Sequence, residues 1–202
     1  IPPPMITTSN CVSARVSTLD ESCMVLNLFL GYSKVMTTTI EFADLPQLSQ
    51  ISDLAHAIWR DYYLGIISGP QIEFMLMTDY SLDQLKKDRA TGTNFLILTK
   101  NARVIGFAAF HTLNPSFVKL DKLYLAREHH GKGFGQRLLQ QTEQSATAHG
   151  ASNVLLNVNK HNVRAIAAYR RAGYSHHRSI LAPIGHGFFV DDYVLQKQLT
   201  ST

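Results

Sequence analysis

Cysteine is almost missing from this chain. Its 202 residues hold two, Cys11 and Cys23, and none after position 23. A disulfide framework or a thiolate metal site needs cysteines spread or paired along the fold, so neither is implied here. Long apolar runs are also lacking. No stretch approaches the roughly 18 residues of a membrane-spanning helix. The apolar piece 24–30 is short and follows Asp20 and Glu21, which makes it a poor signal peptide. Basic runs are absent too. Lys and Arg number 19 against 15 Asp and Glu, for a net charge of +4. They are scattered, so no stripe suits a nucleic-acid backbone, although the mild excess suits an anionic ligand. What remains is the composition of a cytoplasmic globular domain, 45% hydrophobic.

Residues 1–35 read differently from the rest. Pro2, Pro3 and Pro4 open them, Ser and Thr are frequent, and Arg15 and Lys34 balance Asp20 and Glu21. Position 1 is not Met, and Met36 opens a segment that reads like a natural start. The expectation is a leader, non-native or poorly ordered, ahead of a single domain over 36–202.

Within that domain, β-branched residues at 37–42 predict a first strand. Asp44 is placed to cap a helix with Pro46 in its first turn, and Leu48, Ile51, Leu54, Ala55, Ile58, Trp59 and Tyr62 recur at helical spacing. Trp59 and Tyr62 read as core on burial tendencies. Helical patches follow at 71–78 and from Ser81, where Gln84 completes a capping-box pattern. The first two helices are expected to form a lid over one end of a sheet. Strands are expected at 94–99, 104–112 and 117–126, then a helix at 135–149, a strand at 154–158, a helix at 162–171, and strands at 174–180 and 188–195. The condensed order β-α-α-β-β-β-α-β-α-β-β predicts a mixed α/β sheet with helices on both faces.

The stretch 119–141 organises the chain. An apolar strand turns through Gly131, Gly133 and Gly135 and leaves as a helix carrying Leu138 and Leu139. Such a turn exposes main-chain N–H groups at the positive end of a helix, which suits an anion, most often a phosphate. Glycine keeps the approach open and tolerates positive φ. Lys132 and Arg137 add charge nearby. No Gly-Lys-Ser/Thr ending occurs and the spacing is G-x-G-x-G, so neither the NTPase loop nor the dinucleotide fingerprint fits.

Three pieces in order carry a resemblance. They are His130-x-x-Gly133-x-Gly135; the run 156–169, with Asn162 and, seven residues on, Tyr169; and 170–174, Arg-Arg-Ala-Gly-Tyr. From about residue 36 to 199 the chain resembles the GNAT superfamily of N-acetyltransferases. The first piece is similar to the family's acyl-CoA pyrophosphate motif, with His130 where Gln or Arg is usual. Imidazole still offers a donor.

The resemblance implies the acyl-CoA N-acyltransferase fold, acetyl-CoA as co-substrate, no metal, and transfer of an acetyl group to a primary amine by direct attack in a ternary complex. It implies that Leu123, Tyr124 and Leu125 pair with the pantetheine arm, with the Leu125 N–H polarising the thioester. The loop His130, Gly131, Lys132, Gly133, Phe134, Gly135 and Gln136 would hold the pyrophosphate. Asn162 would bond the pantetheine amides, and Tyr169 would protonate the sulfur. Asp121 is the leading candidate for the base, with Glu73, Tyr80, His111 and Asp191 as rivals. Glu73 and Asp191 are candidate substrate contacts, and the Asp191–Asp192 pair tilts the acceptor towards a small cationic amine such as a polyamine; a protein or peptide amine stays open. The adjacent His176 and His177, with His186 following, lack the partners of a zinc site. The partners implied are acetyl-CoA and the amine, with no nucleic acid and no membrane; a homodimer is open. The rival function is a catalytically silent CoA-binding sensor or assembly module.

Overall fold

The computed structural model describes residues 37–200; the leader read over 1–35, and Met36, lie outside them. The strands are β1 (Thr38–Phe42), β2 (Asn94–Lys100), β3 (Arg103–Asn114), β4 (Phe117–Leu125), β5 (Asn153–Asn159), β6 (Ser175–Gly185) and β7 (Phe188–Gln198). They form one sheet in the order β1-β2-β3-β4-β5-β7-β6. Neighbours run antiparallel except β4 and β5, which are parallel.

The helices are α1 (Gln47–Tyr62), α2 (Gly69–Asp79), α3 (Leu82–Ala90), α4 (Phe134–Ala148) and α5 (Val163–Arg171). Three helices, rather than the two of the condensed order, connect β1 to β2; the patch opening at Ser81 is a helix of its own. Local chemistry explains their starts. Asp44 and Gln47 exchange side-chain and main-chain hydrogen bonds at the head of α1. The Ser68 hydroxyl accepts the Gln71 N–H at the start of α2, and the Ser81 hydroxyl accepts the Gln84 N–H at the start of α3.

The run 95–98 is apolar without a break because β2 is covered on both sides. Phe95 and Ile97 face α1, α2 and α3 with Leu48, Ile51, Trp59, Ile72 and Phe107. Leu96 and Leu98 face the other way, with Phe110, Leu120, Leu138, Leu139 and Val154. Each such buried side chain contributes about 1.5–3 kcal/mol relative to exposure. Two cores clamping one sheet therefore fix where strand ends, and the loops after them, must lie.

Two irregularities position the site. Along β3 and β4, Phe110 pairs with Leu120 but Ala109 pairs with Lys122. Asp121 is thus the extra residue of a β-bulge, which bends and twists its strand. On the other side, β4 and β5 pair only from Phe117/Asn153 to Leu120/Leu156. Beyond the bulge the two strands part, although β4 runs on to Leu125 and β5 to Asn159.

Candidate functional site

The parting of β4 from β5 opens a cleft of about 660 Å³, within the range of small-molecule sites. Its base is main chain. Ala126 turns its N–H to Ile105 of β3. By strand alternation Leu125 and Leu123 turn theirs the opposite way, towards the gap. The Leu125 carbonyl bears this out, since it accepts a hydrogen bond from Nε2 of His130 at 2.8 Å. Gly106 faces Leu125 across β3 and β4. A Cβ there would meet the Tyr124 carbonyl oxygen at 2.8 Å, so only glycine lets the strands close at this point.

One end of the cleft is the glycine loop. Gly133 has φ 79° and stands as N-cap of α4, a conformation that favours glycine. No side chain caps this helix and no acid lies in its first turn, so its first N–H groups lack a protein acceptor. Gly131, Gly133 and Gly135 line the cleft. A Cβ added at any of them would have no atom within 4 Å. The loop is therefore a cradle of donors with open space before it, and its charge preference is for an anion.

The far wall is aromatic. Trp59 stacks on Tyr63 with centroids 4.2 Å apart, and the hydroxyls of Tyr80 and Tyr124 are 2.8 Å apart. Tyr62, at the end of α1, donates to Oδ1 of Asn162 at 3.1 Å. The same oxygen accepts the Ala165 N–H, capping α5. One buried amide thus ties α1 to α5 across the cleft. Burial raises the Tyr63 phenol to about 12, although hydrogen bonding to Tyr124 works against it. Burial, followed by the field of Tyr63, also raises Tyr169. Both stay protonated at neutral pH and remain hydrogen-bond donors.

Besides Asp121, two carboxylates line the cleft, Asp79 of α2 and Asp192 of β7. Burial raises Asp79, with Lys122 opposing. Burial raises Asp192 as well, reinforced by Asp191 beside it. Two anions held in an aromatic recess make a site complementary to a cation.

Most of the residues singled out in the sequence meet here: Asp121, Leu123, Tyr124, Leu125, Asn162 and Tyr169 line the cleft, as do His130, the three glycines and Gln136. Four side chains do not line it. Lys132 donates to the Glu128 carbonyl at 2.7 Å. Phe134 packs on the core below α4, leaving only main chain from these two positions near the loop. Glu73 is exposed and paired with Arg60 at 2.8 Å, which holds its carboxyl below the usual range. Helix phase explains this. Gln71, Met75 and Asp79 share the cleft-facing stripe, and residue 73 points about 200° away from residue 75. Asp191 turns to Lys160, because strand neighbours face opposite sides and only Asp192 enters the cleft. His130 lines the cleft, but its Nε2 donor goes to Leu125, not outward. The rival Tyr80 is in the aromatic wall. His111 lies behind Asp121, with Nδ1 2.5 Å from its Oδ2. His176 packs on Tyr193 and His186 on Phe74; among the described residues no three metal-binding side chains cluster. Sequence reasoning missed Tyr63 and Asp79. The i, i+4, i+8 spacing of Gln71, Met75 and Asp79 was the available signal for the latter.

Comparison with known proteins bears on this geometry. An uncharacterized N-acetyltransferase of Mycobacterium bovis is 30% identical over 99 residues, 49% of this chain and 63% of that protein. The mycothiol acetyltransferase of Corynebacterium glutamicum is 28% identical over 99 residues, 48% of this chain and 34% of that protein. The chain thus spans less than two thirds of the curated relatives it matches. The crystal structure of PaiA N-acetyltransferase from Thermoplasma acidophilum, in complex with coenzyme A, superposes with a TM-score of 0.69 at 23% identity. It covers 81% of this chain and 99% of that one. The profile of the acetyltransferase (GNAT) family matches residues 51–174, from α1 through the glycine loop and α5 to Tyr174, and the chain belongs to that family.

Proposed function

We propose that this protein is an acetyl-CoA-dependent N-acetyltransferase that acetylates a primary amine, with a small cationic amine such as a polyamine as the acceptor class. The observation that carries the reading is the conjunction in one cleft of an uncapped glycine-loop helix, an open strand edge, and Asn162 and Tyr169. The donor set fits the cofactor. The N–H groups after Gly131, Gly133 and Gly135 suit a diphosphate, and the spaced N–H and C=O groups of Leu123 and Leu125 suit the amides of a pantetheine arm. Acetyl-CoA, when bound, supplies an acyl carbon activated as a thioester.

The remaining work falls to side chains of this chain. The carboxylates of Asp79 and Asp192 attract the cationic acceptor into the aromatic recess. Asp121, at the bulge where the strands part, removes a proton so that the nitrogen lone pair is free to attack. The Leu125 N–H lies on the open edge, where it stabilises an oxyanion. Tyr169, kept protonated by burial, gives its proton to the departing thiolate. Among the described residues no cysteine lines the cleft, and the reading is direct attack by the acceptor in a ternary complex.

The test is thiol release from acetyl-CoA in the presence of polyamines, aminoglycosides, amino acids and peptides. Amine-dependent release, strongest with cations that carry more than one amine, is expected. CoA binding by calorimetry without release for any amine refutes transfer and leaves a binding module.

A further inference from the structure

A base at the bulge of β4 must keep one carboxylate oxygen turned to the acceptor, and Asp121 has a neighbour that holds the other. His111 of β3 holds Nδ1 2.5 Å from Oδ2 of Asp121, and its side chain is 34% exposed against 24% for Asp121. Oδ1 of Asp121 has no hydrogen-bond partner among the described residues, and Asp121 lines the cleft. The pair therefore reaches from the cleft to solvent. It exists because of the bulge. In a regular ladder residue 121 would sit across from Ala109, whereas here Ala109 takes Lys122 and the spare carboxylate leans to His111.

We propose that His111 is the positioning partner of Asp121, an inference that rests on the acetyl-transfer reading above. The Nδ1–H of His111 donates to Oδ2, which fixes the carboxylate and leaves Oδ1 to meet the acceptor. There the ammonium N–H bond of the acceptor breaks and an O–H bond forms on Oδ1. That proton passes to water once the product has left, and Asp121 returns to carboxylate. The charged groups facing the pair are Lys119, in register with His111, and Lys122, which is held by Asp88 of α3 at 3.5 Å. Beyond them lies Asp192 of β7, which feels Lys119.

Two variants separate positioning from a contact without consequence. His111→Asn keeps a donor near the Nδ1 position, and His111→Ala removes it. In His111→Ala kcat should fall about tenfold, part of what a positioned base contributes, with KM for acetyl-CoA unchanged, and His111→Asn should keep most of the turnover. A His111→Ala protein that turns over like the unsubstituted chain overturns the positioning role, as does a His111→Asn protein as slow as His111→Ala. The pairing is also read without turnover, from the imidazole ¹⁵N resonances of His111 in the ligand-free protein. These should move in Asp121→Asn, and resonances that stay in place overturn the pairing itself. An unsubstituted chain that shows this pairing but acetylates no amine refutes the acetyl-transfer reading, and the positioning role with it.

Discussion

Replacing Gly135 with Leu separates what the fold needs from what a ligand needs. Gly133 is a poor probe. Its φ of 79° means any other residue costs about 1–2 kcal/mol of backbone strain, whatever binds. Gly135 is different. It lies in the first turn of α4 with ordinary helical backbone, and a Cβ there meets nothing within 4 Å. Leucine is the better helix former by just under 1 kcal/mol in a helix interior and by about 0.5 kcal/mol near an end. For a domain of this size, that raises the unfolding midpoint by about 1–2 °C. The side chain, however, must project into the cleft that Gly135 lines. CoA at a hundredfold excess over its Kd stabilises the unsubstituted protein by about 2.7 kcal/mol, or about 5–10 °C. Gly135→Leu should lose that shift while gaining in its own midpoint. Thermal unfolding by differential scanning calorimetry, with and without CoA, reads both. A variant less stable than the parent without ligand, or one that keeps the full CoA shift, refutes the cradle.

Further outcomes follow from the same cleft. Tyr169→Phe should lower kcat by about 10²-fold or more and leave the CoA Kd within about twofold, by stopped-flow thiol release and calorimetry. Asp192→Asn should raise KM for a cationic amine about tenfold, roughly 1.4 kcal/mol, with KM for acetyl-CoA unchanged in steady-state kinetics. Because burial and Asp191 raise Asp192, affinity for the cation should weaken on acidification earlier than an ordinary carboxylate allows. Five phenols, Tyr63, Tyr80, Tyr124, Tyr169 and Tyr174, are raised by burial. A raised folded pKa means the unfolded chain gives up its protons first. Their contribution is therefore complete below about pH 10, the unfolded value, and is lost as pH rises towards and beyond the 12 of Tyr63. Ultraviolet titration should show these rings ionising only as the protein unfolds at alkaline pH. A smooth transition centred near pH 10 in folded protein would contradict it.

The parts of this site that depend on main chain were legible in the sequence. Glycine spacing after an apolar strand points to a loop of free amides, because few other residues tolerate the required φ or leave the space open. Asn162 and Tyr169 were expected only through the resemblance to the GNAT superfamily, and both line the cleft. The parts that depend on which way a side chain turns were harder. Asp191 and Asp192 are adjacent, and their chemistry is the same; only the register of β7 against β5, with Asp192 opposite Asn159, decides which one faces the cleft. Glu73 sits in a helix whose polar and apolar faces are weakly separated, so its composition did not reveal its phase. His130 has a donor, but the Leu125 carbonyl five residues back engages it. In each case the residue type was informative and the competing partner, set by tertiary structure, was not.

The bulge itself had a signature. Val118, Leu120, Leu123 and Leu125 all belong to the core beneath α4 and α5. A regular strand returns to the same face every second residue, so the interval of three between Leu120 and Leu123 cannot be regular. One residue must be extra, and the two polar side chains in the interval, Asp121 and Lys122, mark where. The same extra residue ends the pairing with β5, since the last matched pair is Leu120 with Leu156. A bulge turns the strand it interrupts, and a turned β4 cannot stay parallel to β5. The cleft, the open amides of Leu123 and Leu125, and the leaning carboxylate of Asp121 thus share one cause. The hydrophobic core holds it in place: closing the cleft would require Leu123 and Leu125 to leave the apolar face, at about 1.5–3 kcal/mol each.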